Sequence, residues 1–227
     1  MIKNISNLGD SAVYCDFGEE VNKHINSNVI RYFKTIKNKN IDGINNLTPS
    51  YNKLIISFDL RKTTFNEVRK IIEKIELEKN EEVSSNKIEI PVCCDNTFAL
   101  DIDRVEKCLN MKKEKILEIF FNKEYFCYMT GFIAGMPFLG DLEKSMKVNR
   151  LETPRVKVPK GAVGITEQFA NIYTFESPGG WNIIGKTPLE IFNSNKEKEP
   201  NLINPGDTVI FNNISIDQYK QFNEQKL

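Results

Sequence analysis

The second half of the chain is a succession of short apolar segments separated by turn residues. From Tyr125 onward these segments read YFCYMTGF, RVKVP, GAVGIT, FANIYTF, WNIIGKT and DTVIFNN. Runs of this length, rich in β-branched and aromatic residues and spaced by about ten positions, are typical of the strands of a small all-β unit. The pattern therefore predicts a β-barrel or a β-sandwich, followed by a closing helix that Ser215 caps.

The first half mixes strands with helices. Residues 11–17 alternate apolar and polar side chains, as a strand with one buried face does, and apolar residues recur at helical spacing over 20–37. Residues 53–58 form a buried strand, and Thr64–Glu67 is a capping box that starts a second helix. With residues 87–92 as a candidate last strand, this order is typical of a ferredoxin-like α+β domain.

The polar stretch over 78–86 has the composition of a linker. We therefore expect an α+β protein with a small ferredoxin-like domain over 1–84 and a second domain over 85–227 that is a β-barrel or a β-sandwich. Two short helices are predicted near the start of the second domain, one capped by Asp101 and one by Asn110.

Composition excludes several kinds of function. Lys+Arg and Asp+Glu each number 31, so the chain lacks the basic excess of a nucleic-acid-binding protein. The start carries no signal peptide and no apolar run reaches the length of a membrane span, so we expect a cytoplasmic protein. The five cysteines show no CxxC spacing, which predicts reduced thiols and no metal site. His24 is the single histidine and lies in a helical pattern, where a surface or packing role is expected.

Three segments of the second half carry candidate binding residues. Gly179 and Gly180 can adopt left-handed backbone or let a ligand approach closely, although a hairpin-like turn before a buried Trp181 would also use them. The loop that contains Gly131, Phe132 and Gly135 fits neither a P-loop nor the dinucleotide fingerprint. A third segment carries basic side chains that could bind carboxylate or phosphate, or simply decorate a loop, among them Arg150 and Arg155.

Ordered motifs extend over nearly the whole chain. They include Gly9-Asp10-Ser11-Ala12, Pro49-Ser50-Tyr51, Ile90-Pro91-Val92, Pro137-Phe138-Leu139-Gly140, Pro154-Arg155, Ser177-Pro178-Gly179-Gly180-Trp181 and Ile184-Gly185-Lys186-Thr187-Pro188. In this order they resemble the family that contains the kinase inhibitor KipI, the B subunit of ATP-dependent 5-oxoprolinase (PxpB) and the first subunit of allophanate hydrolase.

The resemblance implies a cyclophilin-like β-barrel as the second domain. It also implies an ATP-driven opening of 5-oxoproline to glutamate, carried out with a homologous C subunit (KipA/PxpC-like) and an A subunit, with ATP bound either by this chain or by the partner. No residue is assigned a catalytic role. The substrate-binding residues that it implies are Arg150, Arg155, Gln168, Gly179, Gly180, Trp181, Lys186, Gly131, Phe132 and Gly135.

The chain departs from the family pattern in its loops. Phe120 stands for a histidine, Ala134 and Met136 for a proline and a phenylalanine, and Phe169 for a glutamine whose amide Gln168 could replace. These changes remove polar groups that could hold a ligand. Two alternatives to the enzyme subunit therefore stay open, a KipI-like inhibitor of a sensor histidine kinase and a component that acts on an allophanate- or urea-like compound.

Overall fold

The computed structural model describes residues 1–77, 86–196 and 198–224. The chain divides into two compact units, Met1–Ser84 and Ser85–Leu227. The predicted linker over 78–86 lies outside the described residues, apart from Asn86. Every helix within the described ranges is too short or too polar to span a bilayer.

The N-terminal unit is an antiparallel sheet of four strands with two helices. Its elements are β1 (Asn4–Asn7), β2 (Ala12–Asp16), α1 (Lys23–Lys39), β3 (Ile44–Pro49), β4 (Lys53–Phe58) and α2 (Phe65–Glu73). The strand order is β1-β2-β4-β3. This is the order of a ferredoxin-like sheet whose last strand is supplied by the start of the chain instead of its end.

Local sequence explains these elements. Alternate residues of β2 and β4, such as Val13 and Ile56, are fully buried and meet the apolar faces of both helices in one core. The predicted capping box is confirmed, because the Glu67 carboxylate accepts from the Thr64 backbone N–H and the Thr64 hydroxyl accepts from the Glu67 N–H. Asn22 caps α1 by accepting from the N–H of Ile25.

The C-terminal unit is a closed barrel of seven strands in the order β10-β7-β6-β13-β5-β12-β9. Its elements are β5 (Lys87–Cys93), α3 (Ile102–Leu109), α4 (Lys113–Phe121), β6 (Glu124–Thr130), β7 (Pro137–Gly140), a 3-10 turn (Lys144–Met146), β8 (Arg155–Val158), β9 (Ala162–Thr166), β10 (Phe169–Ile172), β11 (Ser177–Gly179), β12 (Asn182–Lys186), β13 (Thr208–Ile214) and α5 (Ile216–Glu224). Strands β8 and β11 form a separate two-stranded ribbon.

Residues 87–92 do not complete the ferredoxin-like sheet. They belong to β5, which pairs in parallel with β13 from Lys87 opposite Thr208 to Cys93 opposite Ile214. This pairing points Ile90 and Val92 into the barrel interior, where both are fully buried. The free energy gained by burying these apolar side chains explains why this strand belongs to the barrel.

The prediction that Asn110 caps the second of the short helices is wrong. Asn110 ends α3 in the left-handed conformation, with φ 50° and ψ 43°, and α4 is preceded by Lys112. Asparagine tolerates this backbone region, which is why it serves as a helix C-cap as well as an N-cap. The expected fold class, a ferredoxin-like α+β part with a cyclophilin-like β-barrel, is confirmed.

Candidate functional site

A second apolar cluster lies on the outer face of the barrel. Alternate residues of a strand point to opposite faces, so β9 and β12 contribute to the interior and also to this cluster. Trp181 packs there, with its ring centroid 5.6 Å from that of Phe138, and only 8% of it is exposed. The buried members of the cluster are Met136, Val158, Ala162, Tyr173 and Ile183.

The two glycines before Trp181 differ in what they do. Neither has the left-handed backbone that the sequence suggested, since both are absent from the positive-φ residues of the described chain. A Cβ at Gly179 would overlap the hydroxyl oxygen of Tyr173, so only glycine fits there. A Cβ at Gly180 would meet nothing closer than Pro154 at 3.5 Å and the Arg150 guanidinium at 3.6 Å, which are ordinary contacts.

Tyr173 lies against Gly179 and is 1% exposed. Burial raises the pKa of Tyr173 above its ordinary value, while the nearby Asn171 side chain, the Trp181 backbone N–H and the two arginines Arg150 and Arg155 oppose that rise. The groups around the phenol oxygen are therefore N–H donors and cations. Burial outweighs these groups, so the surroundings keep the Tyr173 phenol neutral at neutral pH.

Arg155 is held by Asp101 through two parallel hydrogen bonds. Its Nη1 and Nη2 donate to the two Asp101 carboxylate oxygens at 2.9 and 2.5 Å. Asp101 also accepts from the backbone N–H of Ile183 at 2.7 Å and is 6% exposed. This bidentate pair neutralises most of the charge of Arg155, so its guanidinium is less suited to bind an incoming anion than the sequence suggested.

Arg150 is positioned by its neighbours along the chain. The buried Asn182 amide donates to the carbonyl oxygens of Asn149 at 3.0 Å and Ile165 at 3.1 Å, and Arg104 donates to the Asn182 side-chain oxygen. The Leu151 N–H donates to the Gly180 carbonyl at 2.7 Å. These bonds fix the backbone on both sides of Arg150 next to Gly180.

The Arg150 side chain itself is exposed. Within the described ranges it has no hydrogen-bond or ion-pair partner. An exposed guanidinium can bind a carboxylate or phosphate in a bidentate manner, and a neighbouring glycine such as Gly180 has no side chain that would block the ligand. Arg150 is therefore the cation of this surface that is available to an anionic ligand.

Two of the residues that the sequence suggested lie elsewhere. Lys186 is at the far end of β12 from Trp181, ~16 Å along the strand at the usual rise per residue. Its ammonium group lies 5.5 Å from the ring centroid of Phe98. Gln168 lies in the turn between β9 and β10, where its carbonyl accepts from the N–H of Leu142 at 2.8 Å.

The glycine loop between β6 and β7 reaches the same outer face at one point. The Thr174 hydroxyl, next in the chain to Tyr173, donates to the Ala134 carbonyl at 2.7 Å. Gly135 has a left-handed φ of 68° and packs against Phe192. Phe132 also has φ 68° and is 69% exposed. The loop therefore borders Thr174, while its Phe132 side chain points to solvent.

Residues 3–203 match the family model described as "Carboxyltransferase domain, subdomain C and D". The chain belongs to this family. It is 34% identical over 233 aligned positions to the B subunit of the Bacillus subtilis 5-oxoprolinase, and the alignment covers 97% of each protein.

Two solved structures are similar to this carboxyltransferase-domain chain. The "conserved uncharacterized protein PH0987" of Pyrococcus horikoshii is 35% identical, with a TM-score of 0.57, over 95% of this chain and 100% of that one. The protein TTHA0988 has a TM-score of 0.81 and 27% identity. That match covers 90% of this chain but 40% of TTHA0988, so the present chain corresponds to less than half of that longer protein.

Sequence reasoning missed three residues of this carboxyltransferase-domain site. Asp101 was expected only as a helix cap, yet its side chain makes no capping bond and binds Arg155 instead. Asn171 lies in β10 and Tyr173 directly follows this strand, and both continue the two-residue spacing that starts at Phe169. That alternation was the available signal for these two missed residues.

Phe169 does not fill this site. Its ring lies 5.8 Å from that of Tyr128 and packs against Gly140. The described part of the chain contains no group of three His, Cys, Asp or Glu side chains that could hold a metal ion. The chemistry of the site is therefore that of a guanidinium, a phenol and an amide.

Proposed function

We propose that the chain is the B subunit of an ATP-dependent 5-oxoprolinase, which opens 5-oxoproline to glutamate together with the A and C subunits. The observation that carries this proposal is Arg150, which lies beside Gly180 and has no hydrogen-bond or ion-pair partner among the described residues, in a chain similar over 97% of its length to a protein named as a 5-oxoprolinase B subunit. 5-Oxoproline is a five-membered lactam that bears a carboxylate. A guanidinium is the side chain best suited to bind that carboxylate.

Charge pairing limits what this surface can bind. Arg155 is bound to Asp101, Lys157 lies 3.0 Å from Glu176, and Lys160 lies 3.0 Å from Glu190. With these cations paired, Arg150 can neutralise one carboxylate or one phosphate, but a triphosphate needs several cations or a backbone nest. We therefore assign ATP to the partner subunits and the 5-oxoproline carboxylate to Arg150.

The role of this chain follows from the chemistry of a lactam. A lactam carbonyl is a poor electrophile, and transfer of a phosphoryl group to its oxygen makes the ring carbon easier to attack. Positive groups that are positioned before charge develops stabilise such a step. In this proposal the chain binds and orients 5-oxoproline, while a partner subunit supplies the phosphoryl donor.

The test is a reconstitution of the chain with its A and C subunits, with glutamate release measured with and without ATP. We expect activity only when both ATP and this chain are present. Arg150→Gln should lower kcat/KM by about tenfold to a hundredfold, because it removes a charged hydrogen bond worth about 1.5–3 kcal/mol. Lys157→Gln is the matched control, since Lys157 is an exposed cation of β8, the strand that follows Arg150 in the chain.

The control should leave kcat/KM unchanged. The proposal would be overturned by a complex that releases no glutamate under conditions in which the Bacillus subtilis proteins do. Inhibition of a histidine kinase by such an inactive complex would support the regulatory alternative instead.

A further inference from the structure

Among the described residues of the outer face, Asn171 has a buried side-chain amide whose oxygen and nitrogen both lack a hydrogen bond by distance and angle. It is 0% exposed. Its side chain lies close enough to the Tyr173 phenol to oppose the rise of the phenol pKa, but the contact does not have the geometry of a normal hydrogen bond. A buried polar group that lacks a partner costs about 1–3 kcal/mol, so an amide with two such atoms destabilises the fold unless it serves a ligand.

Two consecutive residues, Trp181 and Gly180, connect the position of Asn171 with that of Arg150. A Cβ at Gly164 would lie 2.8 Å from Asn171 Oδ1 and 3.0 Å from the Cβ of Trp181, so the amide and Trp181 border the same glycine. The preceding residue, Gly180, faces the Arg150 guanidinium. The segment Gly179–Trp181 therefore covers Asn171 and borders Arg150.

A primary amide has a specific complement. It presents one acceptor and two donors, with an N–H and the oxygen on the same edge. The lactam of 5-oxoproline is a cis amide, because the five-membered ring holds its N–H and C=O on one edge. The two edges can form a pair of parallel hydrogen bonds, in which each amide donates once and accepts once.

We propose that Asn171 recognises the lactam edge of 5-oxoproline while Arg150 binds its carboxylate, and that the segment Gly179–Trp181 lifts to admit the ligand. This inference rests on the proposed function and names the residue that distinguishes the lactam from other cyclic acids. Proline lacks the lactam carbonyl, and a site built to hydrogen-bond a group discriminates strongly against an analogue without it.

Opening of the covering segment must break the hydrogen bond from the Leu151 N–H to the Gly180 carbonyl and the pairing of Gly179 with Arg155. Gly180 has no left-handed φ, and a Cβ at this position would make only ordinary contacts, so packing does not demand a glycine. Glycine adds backbone freedom and leaves space beside Arg150. The single tryptophan of the chain lies at the end of the segment, so its fluorescence reports the segment directly.

The decisive variant is Asn171→Leu, which replaces the amide by an apolar group of similar shape. In the reconstituted complex we expect the KM for 5-oxoproline to rise at least about tenfold, the factor that corresponds to 1.4 kcal/mol. The melting temperature of the variant chain should stay the same or rise, because two unsatisfied atoms are removed. Ser177→Ala, which deletes another buried and unpaired oxygen, is the control that should leave KM unchanged.

A second measurement separates the two halves of the ligand. 2-Pyrrolidinone carries the lactam without the carboxylate, so its competitive inhibition should be lost in Asn171→Leu and retained in Arg150→Gln. 5-Oxoproline added to the wild-type chain should change the fluorescence of Trp181 in a saturable way.

The outcomes distinguish this inference from the proposed function. An inactive wild-type complex would overturn the proposed function. An active wild-type complex together with an unchanged KM in Asn171→Leu would overturn this inference alone. A lower melting temperature of Asn171→Leu would also overturn it, because the amide would then be a structural group.

Discussion

The hydroxyl oxygen of Tyr173 occupies the space in which a side chain at Gly179 would begin. Gly179→Ala must therefore displace the buried Tyr173 ring or the β11 backbone. Overpacking of this kind costs about 1–3 kcal/mol. We expect chemical denaturation to show a loss of that size for Gly179→Ala, and a change within about 0.5–1 kcal/mol for Gly180→Ala, the matched control whose Cβ has room.

A double-mutant cycle identifies the cause of that loss. Tyr173→Phe removes the oxygen that the new methyl group would meet, so the pair Gly179→Ala and Tyr173→Phe should be less destabilised than the sum of the single changes. Strict additivity would show that the two residues do not meet. It would then contradict the geometry on which the site is built.

The pair formed by Asp101 and Arg155 predicts a second loss of stability. Asp101→Asn removes the charge that Arg155 faces and disturbs the acceptor of the Ile183 N–H. Loss of one partner of a buried pair costs about 3–5 kcal/mol, and the 29% exposure of the Arg155 side chain reduces our expectation to about 2 kcal/mol. Urea denaturation measures this difference.

Asp103→Asn is the control for that change. Asp103 lies two residues further on in the first turn of α3 and is exposed. Its replacement should cost less than about 0.5 kcal/mol. An equal loss in both variants would show that the helix start, and not the pair with Arg155, accounts for the effect.

The strands could be predicted from the sequence because their signals are local. Alternation in SAVYCDF and KLIISF indicated the buried faces of β2 and β4, and the capping box at Thr64 indicated the start of α2. Local signals could not show which of two possible structural roles a residue or a strand would take. Asn110 can begin or end a helix, and residues 87–92 can pair with either sheet, so these outcomes depended on the tertiary contacts.

The site was less predictable because it depends on distant pairs. Asp101 and Arg155 are 54 residues apart, and only the fold brings the carboxylate to the arginine. Trp181 directly precedes β12 and Lys186 ends it, so the extended strand separates two residues that are near in sequence. The two-residue spacing of Phe169, Asn171 and Tyr173 contained the information that was missed.

Thiol reactivity gives a third prediction. Burial raises the pKa of Cys15 to about 12 and that of Cys94 to about 12, which leaves almost no thiolate at neutral pH. Of the five cysteines, Cys108 is exposed and the other four are buried. A thiol reagent should therefore label one site quickly in the native chain, and Cys108→Ser should abolish that phase. Fast labelling of two or more sites would contradict the packing of both cores.

The N-terminal unit should lose stability in acid through Asp16. The Lys53 ammonium donates to its carboxylate at 2.5 Å and holds the pKa of Asp16 below its ordinary value. A lowered folded-state pKa contributes stability that is present above the unfolded value, about 4, and is lost as the pH falls through the folded value. The difference in unfolding free energy between wild type and Asp16→Asn should therefore be largest at neutral pH and shrink below pH ~4.

Asp10→Asn, which removes an exposed carboxylate of the same unit, should show no such difference. A gap between wild type and Asp16→Asn that stays constant from pH 7 down to pH ~2.5 would show that the ion pair does not stabilise the unit.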